Sequence, residues 1–154
     1  MIALSNKEKK KLFEILTSKY KIELDHLIKK ENIFYDEKNN VYILNDEIIA
    51  FEKNREIYPT IFLISKYKNE IPYIIVNLGA KDKILNGADV FRPGIIEMSD
   101  FKKGDLLLIV SEDEKLLGIG IAVVDKSEAE KMEKGKIVET IHWFGDKITK
   151  LRIK

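Results

Sequence analysis

The residues best placed to do chemistry lie in one stretch, VNLGAKDKILNGADVFRPGI, running from Val76 to Ile95. It sets Lys81 and Lys83 between Gly79 and the pair Asn86-Gly87, and closes on Arg92-Pro93-Gly94. Gly79 leaves the backbone open to close approach, Asn86-Gly87 suits a left-handed exit from a turn of helix, and Pro93-Gly94 allows a sharp turn. If Ala80, Ile84 and Leu85 face a core, Lys81 and Lys83 project outward. Bare amides beside ammonium groups suit phosphate and ribose. The same glycines would also serve the corner of a small barrel, and on chemistry alone the two readings stand level.

Other candidates are weaker. His142-Trp143 invites catalysis or base stacking, but at a strand end the simpler expectation is packing, with Trp143 over a core edge and the imidazole bonded to a backbone carbonyl. His26, at helical spacing between Leu24 and Leu27, reads as a partly buried helix residue. Tyr58, Phe62, Tyr67 and Tyr73 could offer a face to nucleobases, though packing between modules is the preferred reading. The carboxylates Asp82/Asp89 and Glu112/Asp113/Glu114 are set with no nucleophile, oxyanion-hole glycines or metal ligands, so the chain reads as non-enzymatic. The glycines spell neither a Walker loop nor a dinucleotide fingerprint, so no cofactor is expected. With no cysteine and two distant histidines, thiolate chemistry is excluded and no metal site is expected.

These residues must be positioned by a chain of 154 residues, enough for one domain or two small ones. Apolar residues make up 45% and charged residues 34%, a composition that folds. A net charge of +1 gives no global pull on a polyanion, so nucleic-acid binding would need a local patch. No apolar run reaches the length of about 18 that a membrane span needs, and MIALSNKEKKK places its basic cluster after the apolar residues, the reverse of a signal peptide. A cytoplasmic protein is expected, with no membrane partner.

The pattern predicts an α+β fold. Ser5 and Glu8 form a capping box before a helix from Asn6 to Tyr20, with Leu12, Phe13, Ile15 and Leu16 inward and Lys7, Lys9, Lys10 and Lys11 on a solvated face. A second helix is expected over Leu24 to Lys30. VYILNDEIIAFEK reads as a hairpin turning at Asn45-Asp46, and Pro59 as a first-turn residue of a helix over Thr60 to Lys66. The second half reads as strands over Pro72 to Asn77, Ala88 to Arg92, Asp105 to Val110, Leu117 to Val124, Ile137 to Phe144 and Ile148 to Ile153, spaced as in a small barrel. Helices interrupt it at Leu78 to Leu85 and at Ser127 to Glu133, the latter opening with a Ser127/Glu130 capping box and stopping at Gly135. The halves join near Lys68 to Ile71, without a flexible-linker composition, so they are expected to pack together.

These elements, in order, resemble the PUA domain, an RNA-binding fold: the strand into Gly79-Ala80, Asn86-Gly87-Ala88, Pro93-Gly94-Ile95, Lys103-Gly104-Asp105, Gly118 and Gly120, Ser127 to Gly135, and His142 to Asp146. VYILNDEIIAFEKNREIYPTIFLISKY and the ending GKIVETIHWFGD resemble the malignant T-cell-amplified (translation machinery-associated) family, and the Lys/Glu/Ile-rich composition is most like an archaeal member. The departures are Thr149, where many PUA domains carry Trp, and a short loop between Ile95 and Lys103. The resemblance implies a pre-PUA module over 1–70 and a PUA pseudo-barrel of mostly antiparallel strands over 71–154. It further implies a non-enzymatic RNA-binding protein of the translation apparatus that binds tRNA or ribosomal RNA, with the small ribosomal subunit and a SUI1-domain protein as partners. The expected RNA face comprises Lys81, Lys83 and Arg92 on phosphates, Gly79, Gly87, Ala88 and Gly94 giving backbone access, and Asn86, Asp89 and Pro93 beside them. Two other roles fit a PUA barrel: an accessory subunit of an RNA-modification or ribosome-biogenesis complex, and a protein-interaction adaptor.

Overall fold

Ser5 and Glu8 cap the first helix reciprocally, the Glu8 amide donating to Ser5 Oγ at 3.1 Å and the Ser5 amide to Glu8 Oε1 at 2.9 Å. In the computed structural model, which describes residues 1–151, this helix, α1, spans Asn6–Tyr20 and ends at Lys21 in the left-handed conformation. Leu12, Phe13, Leu16 and Tyr20 are buried, and Ile15 is half-buried. Lys9 departs from the expected solvated face. It is only 6% exposed, and its ammonium donates to the carbonyls of Ile28 at 2.9 Å and Glu31 at 2.8 Å. A buried ammonium is tolerable here because carbonyl acceptors replace the water it gave up. The helix expected over Leu24 to Lys30 contracts to a 3-10 turn at Asp25–Leu27, which leaves His26 exposed.

The chain divides into two compact units, 1–70 and 71–151. In the first, β1 (Ile2–Ala3), β2 (Ile33–Asp36), β3 (Val41–Leu44), β4 (Glu47–Lys53) and β5 (Glu56–Pro59) form an antiparallel sheet in sequence order. Asn45-Asp46 turns β3 into β4 with φ of +50° and +61°, the backbone that a two-residue hairpin requires. Pro59 does not open a helix. It ends edge strand β5 opposite Ala50, where a missing amide costs no ladder bond. Thr60 caps α2 (Ile61–Lys66) instead, its hydroxyl accepting from the Leu63 amide at 3.3 Å and donating to the Ile48 carbonyl at 2.7 Å. Tyr58 lies 5.6 Å from Phe51, ring centre to ring centre, within this unit.

The second unit contains β6 (Tyr73–Val76), α3 (Leu78–Ile84), β7 (Val90–Phe91), β8 (Ile95–Met98), β9 (Leu106–Ser111), β10 (Leu116–Ala122), α4 (Lys126–Lys131), β11 (Lys136–Trp143) and α5 (Lys147–Lys150). Its six-stranded sheet runs β7-β11-β10-β9-β6-β8, antiparallel except where β6 meets β9. Ile74, Val76, Ile84, Val90, Leu107, Ile109, Ile137 and Val138 are buried in one core, each contributing about 1.5–3 kcal/mol of burial. A Cβ on Gly118 would lie 2.9 Å from Trp143 Cα, and one on Gly120 would lie 2.6 Å from the Glu139 carbonyl. These two glycines let β10 and β11 close on each other around a register shift at Ile119/Gly120.

Four expectations change here. The strand over Ala88 to Arg92 shrinks to β7, because Arg92–Gly94 wind into a 3-10 turn around Pro93. The loop after Ile95 contains a strand, β8, paired to β6. The Ser127/Glu130 capping box is not formed: α4 begins after Asp125, and Gly135, although at φ +110°, lies beyond Met132, where the helix stops. Where a strand over Ile148 to Ile153 was expected, Asp146 caps α5 by accepting from the Thr149 amide at 3.0 Å; Ile153 lies outside the described residues.

Candidate nucleic-acid interface

Asn77 builds the entry to α3. Its side chain accepts from the Ala80 amide at 2.8 Å, while its own amide donates to the Gly94 carbonyl at 2.9 Å and draws the Arg92–Gly94 turn against the helix start. A Cβ on Gly94 would stand 3.0 Å from the Ala80 methyl, so glycine permits this approach. At the exit, Gly87 takes φ +90° and the amides of Asn86 and Ala88 both donate to the Lys83 carbonyl, at 3.1 and 3.0 Å. Strand β11 holds the segment that follows. Thr140 Oγ1 donates to the Ala88 carbonyl at 2.9 Å, the Thr140 amide donates to Asp89 Oδ1 at 3.0 Å, and Lys136 pairs with Asp89 Oδ2 at 3.1 Å.

Between α3 and the Phe91–Gly94 segment lies a cleft of about 440 Å³. Gly79, Lys83, Asp89, Pro93 and Gly94, all marked in the sequence, line it together with Asn77, Ala80, Ile84, Val90 and Phe91. Asn86 is exposed at the helix exit and donates through Nδ2 to the Asp82 carbonyl at 2.8 Å; Asn86, Gly87 and Ala88 are outside the cleft lining. Gly79 is exposed, and a Cβ there would meet only Asn77 Oδ1, at 3.4 Å. The expectation that Ala80 and Ile84 face inward while Lys83 faces out agrees with their burial.

The three cations expected on phosphates have different surroundings. Lys81 Nζ pairs with Asp113 Oδ2 at 2.7 Å, with its side chain 24% exposed. That bond, together with one from the Ser111 hydroxyl, holds the Asp113 carboxyl below the usual carboxylate range. Arg92 is half-buried, donating from Nε to the Ala129 carbonyl at 2.8 Å and from Nη1 to the Ile95 carbonyl at 3.4 Å. Lys83 is exposed and has no ion-pair partner among the described residues.

Sequence reasoning missed Phe91, which is 50% exposed at the cleft mouth. Its signal was the alternation in Val90-Phe91, where one side chain enters the core and the next turns out. An exposed ring beside a cation is a surface on which bases stack.

His142 is fully buried, and its Nδ1 lies 2.7 Å from the carboxylate oxygen Asp146 Oδ2. Burial pushes the Asp146 carboxyl up, but hydrogen bonds from His142 and from the Thr149 and Trp143 amides outweigh it and leave the group below its ordinary range. The pair is buried and ties β11 to the start of α5, so it can orient its neighbours. Among the described residues, no group of three or more His, Asp or Glu could hold a metal ion, and no helix is long and apolar enough to cross a membrane.

Known proteins match both units. The PUA domain model matches residues 72–144, and a domain of unknown function (DUF1947) matches residues 3–67. An uncharacterized protein of Methanocaldococcus jannaschii is 31% identical over 94% of this chain and 92% of its own length. Translation machinery-associated protein 20 of Saccharomyces cerevisiae is 29% identical over 80% of this chain and 75% of its own. The chain belongs to the malignant T-cell-amplified (translation machinery-associated) family. A solved structure described as a conserved PUA domain protein from Thermoplasma acidophilum superposes on this family member with a TM-score of 0.81, at 27% identity and 96% coverage of each chain. The fold is therefore a helix-and-sheet module followed by a PUA near-barrel.

Proposed function

We propose that this PUA-domain protein is a non-enzymatic RNA-binding protein of the translation apparatus, which holds an unpaired segment of a structured RNA during initiation, reinitiation or recycling. The observation that carries the proposal is the cleft beside α3. Its walls are apolar at Ala80, Ile84 and Val90, its backbone is bare at Gly79 and Gly94, and Phe91 and Lys83 stand exposed at its edge. A ring for stacking, an ammonium for phosphate and an open backbone for ribose are what a single-stranded nucleotide needs. About 440 Å³ is within the range of a small-ligand site and can admit a base, whereas a duplex would have only the rim to touch.

Lys83 makes the principal phosphate contact. Lys81 contributes after exchanging its carboxylate partner for a phosphate, and Arg92 keeps the Pro93-Gly94 turn in place through its carbonyl bonds. The tRNA acceptor end and small-subunit ribosomal RNA are the preferred ligands, with a SUI1-domain protein as a partner on the small subunit. Crosslinking in cells, followed by sequencing of the bound RNA, tests this reading. Enrichment of tRNA 3′ ends or small-subunit RNA is expected. Recovered RNA that matches the total pool, with the protein co-purifying with a modification enzyme, would contradict it in favour of an accessory subunit.

A further inference from the structure

We infer that Trp143 is a positioning residue for the proposed RNA surface: its indole seats the Asn86–Ala88 turn, and the buried His142–Asp146 pair fixes the indole. The inference rests on the RNA-binding reading given above. A short turn between a helix and a strand is a place where backbone opens locally; this one is held by its amides on the Lys83 and Ile84 carbonyls, by Asn86 Nδ2 on the Asp82 carbonyl and by Thr140 Oγ1 on the Ala88 carbonyl. Gly87 is the point at which it is held from below. A Cβ there would lie 2.8 Å from Trp143 Cζ2 and 3.1 Å from Cη2, so the Gly87 backbone rests directly against the six-membered ring. Glycine is needed here for two reasons, the contact and φ +90°.

Trp143 is itself anchored. Its amide donates to Asp146 Oδ2 at 3.1 Å, the same oxygen that lies 2.7 Å from His142 Nδ1, and Gly118 lets the Trp143 backbone lie close against β10. The line of support thus runs from a buried hydrogen-bonded pair, through an indole, to a turn whose amides fix the Lys83 carbonyl. Because the six-membered ring is already against Gly87, Trp143 supports the surface while Phe91 is the ring exposed for stacking. A turn ordered before binding saves the ligand the cost of ordering it.

The test compares the wild-type chain with Trp143→Ala, Trp143→Phe and Gly87→Ala, each titrated with a tRNA transcript over a salt series and followed by amide hydrogen exchange. Trp143→Ala and Gly87→Ala should bind about tenfold more weakly, the size of an ordering cost for one turn, with the salt slope unchanged because no phosphate contact is lost. Trp143→Phe should restore most of the affinity. In Trp143→Ala, exchange at Gly87 and Ala88 should accelerate while β9 and β10 amides stay protected. Binding by Trp143→Ala within about twofold of wild type would overturn the inference. So would a phenylalanine variant as weak as the alanine one, or acceleration of all second-unit amides together. If Trp143→Ala does not fold, Gly87→Ala decides the matter from the other side of the contact. Wild-type protein without salt-sensitive RNA binding would sink the RNA reading and this inference together; wild-type binding matched by every variant would sink this inference alone.

Discussion

Replacing Gly79 with alanine separates stability from function at one atom. Gly79 is the second residue of α3, with no positive φ, and an added Cβ would have only Asn77 Oδ1 nearby, at 3.4 Å, an ordinary contact. Nothing in the fold therefore requires glycine, and a helix position occupied by glycine gives up stability through the extra freedom of the unfolded chain. Gly79→Ala should stabilise the protein by about 0.4–1 kcal/mol. For a unit of this size, roughly 4–8 °C per kcal/mol translates that gain into a rise in Tm of about 2–8 °C. The same methyl stands at the lining of the cleft, where a ligand is proposed to approach bare backbone, so RNA affinity should fall while Tm rises. Thermal unfolding by circular dichroism and RNA titration on one preparation read both quantities. A lower Tm would refute the claim that the fold does not need this glycine. A higher Tm with unchanged RNA affinity would refute the claim that the ligand does.

Two further substitutions probe charge. Asp113→Asn releases Lys81 from its carboxylate, so the exchange for a phosphate no longer breaks an ion pair and RNA affinity at low salt should rise; unchanged affinity would show that Lys81 does not face the ligand. Asp146→Asn weakens charge-assisted bonds to His142, Trp143 and Thr149 and should cost about 1–3 kcal/mol at neutral pH. The folded Asp146 carboxyl lies below its ordinary value of 3.8, so the unfolded chain takes up the proton first as pH falls. The stability that this carboxylate supplies is full above about pH 5 and is lost as pH drops through 3.8 toward the lower folded value. Thermal unfolding of both proteins from pH 7 to pH 3 should therefore show a Tm gap that closes in acid, and a gap constant with pH would contradict the assignment.

Local signals were the legible ones. Ser5 with Glu8, and Asn45-Asp46 between β-rich runs, encode their structures in a few neighbouring residues, and both formed as expected. Lys9 was read as solvated because the carbonyls that bury it arrive from residues 28 and 31, beyond any helical window. Ile148-Thr149 has β-branched residues, yet Asp146 accepts from the Thr149 amide and starts a helical turn, so a cap outweighed propensity. Strand β8 was missed because Pro93-Gly94 dominated the reading of its neighbourhood, while its pairing partner β6 lies some twenty residues earlier. In the candidate site, the glycines and Lys83 could be marked from residue type and spacing. The bond from Lys81 to Asp113, the ties from Arg92 to carbonyls and the exposure of Phe91 depend on strands meeting in space, which one sequence does not display.

The central claim is that the surface around α3 carries RNA through phosphate contacts. It is tested most directly by titrating tRNA and small ribosomal subunits with wild-type protein and with Lys83→Glu, alone and combined with Lys81→Glu, at low salt and across a salt series. Wild-type affinity should fall as salt rises, Lys83→Glu should weaken binding and flatten the slope by about 0.7–0.9, and the double variant should weaken it further. Binding of both ligands that is unchanged in the double variant at low salt would contradict the account.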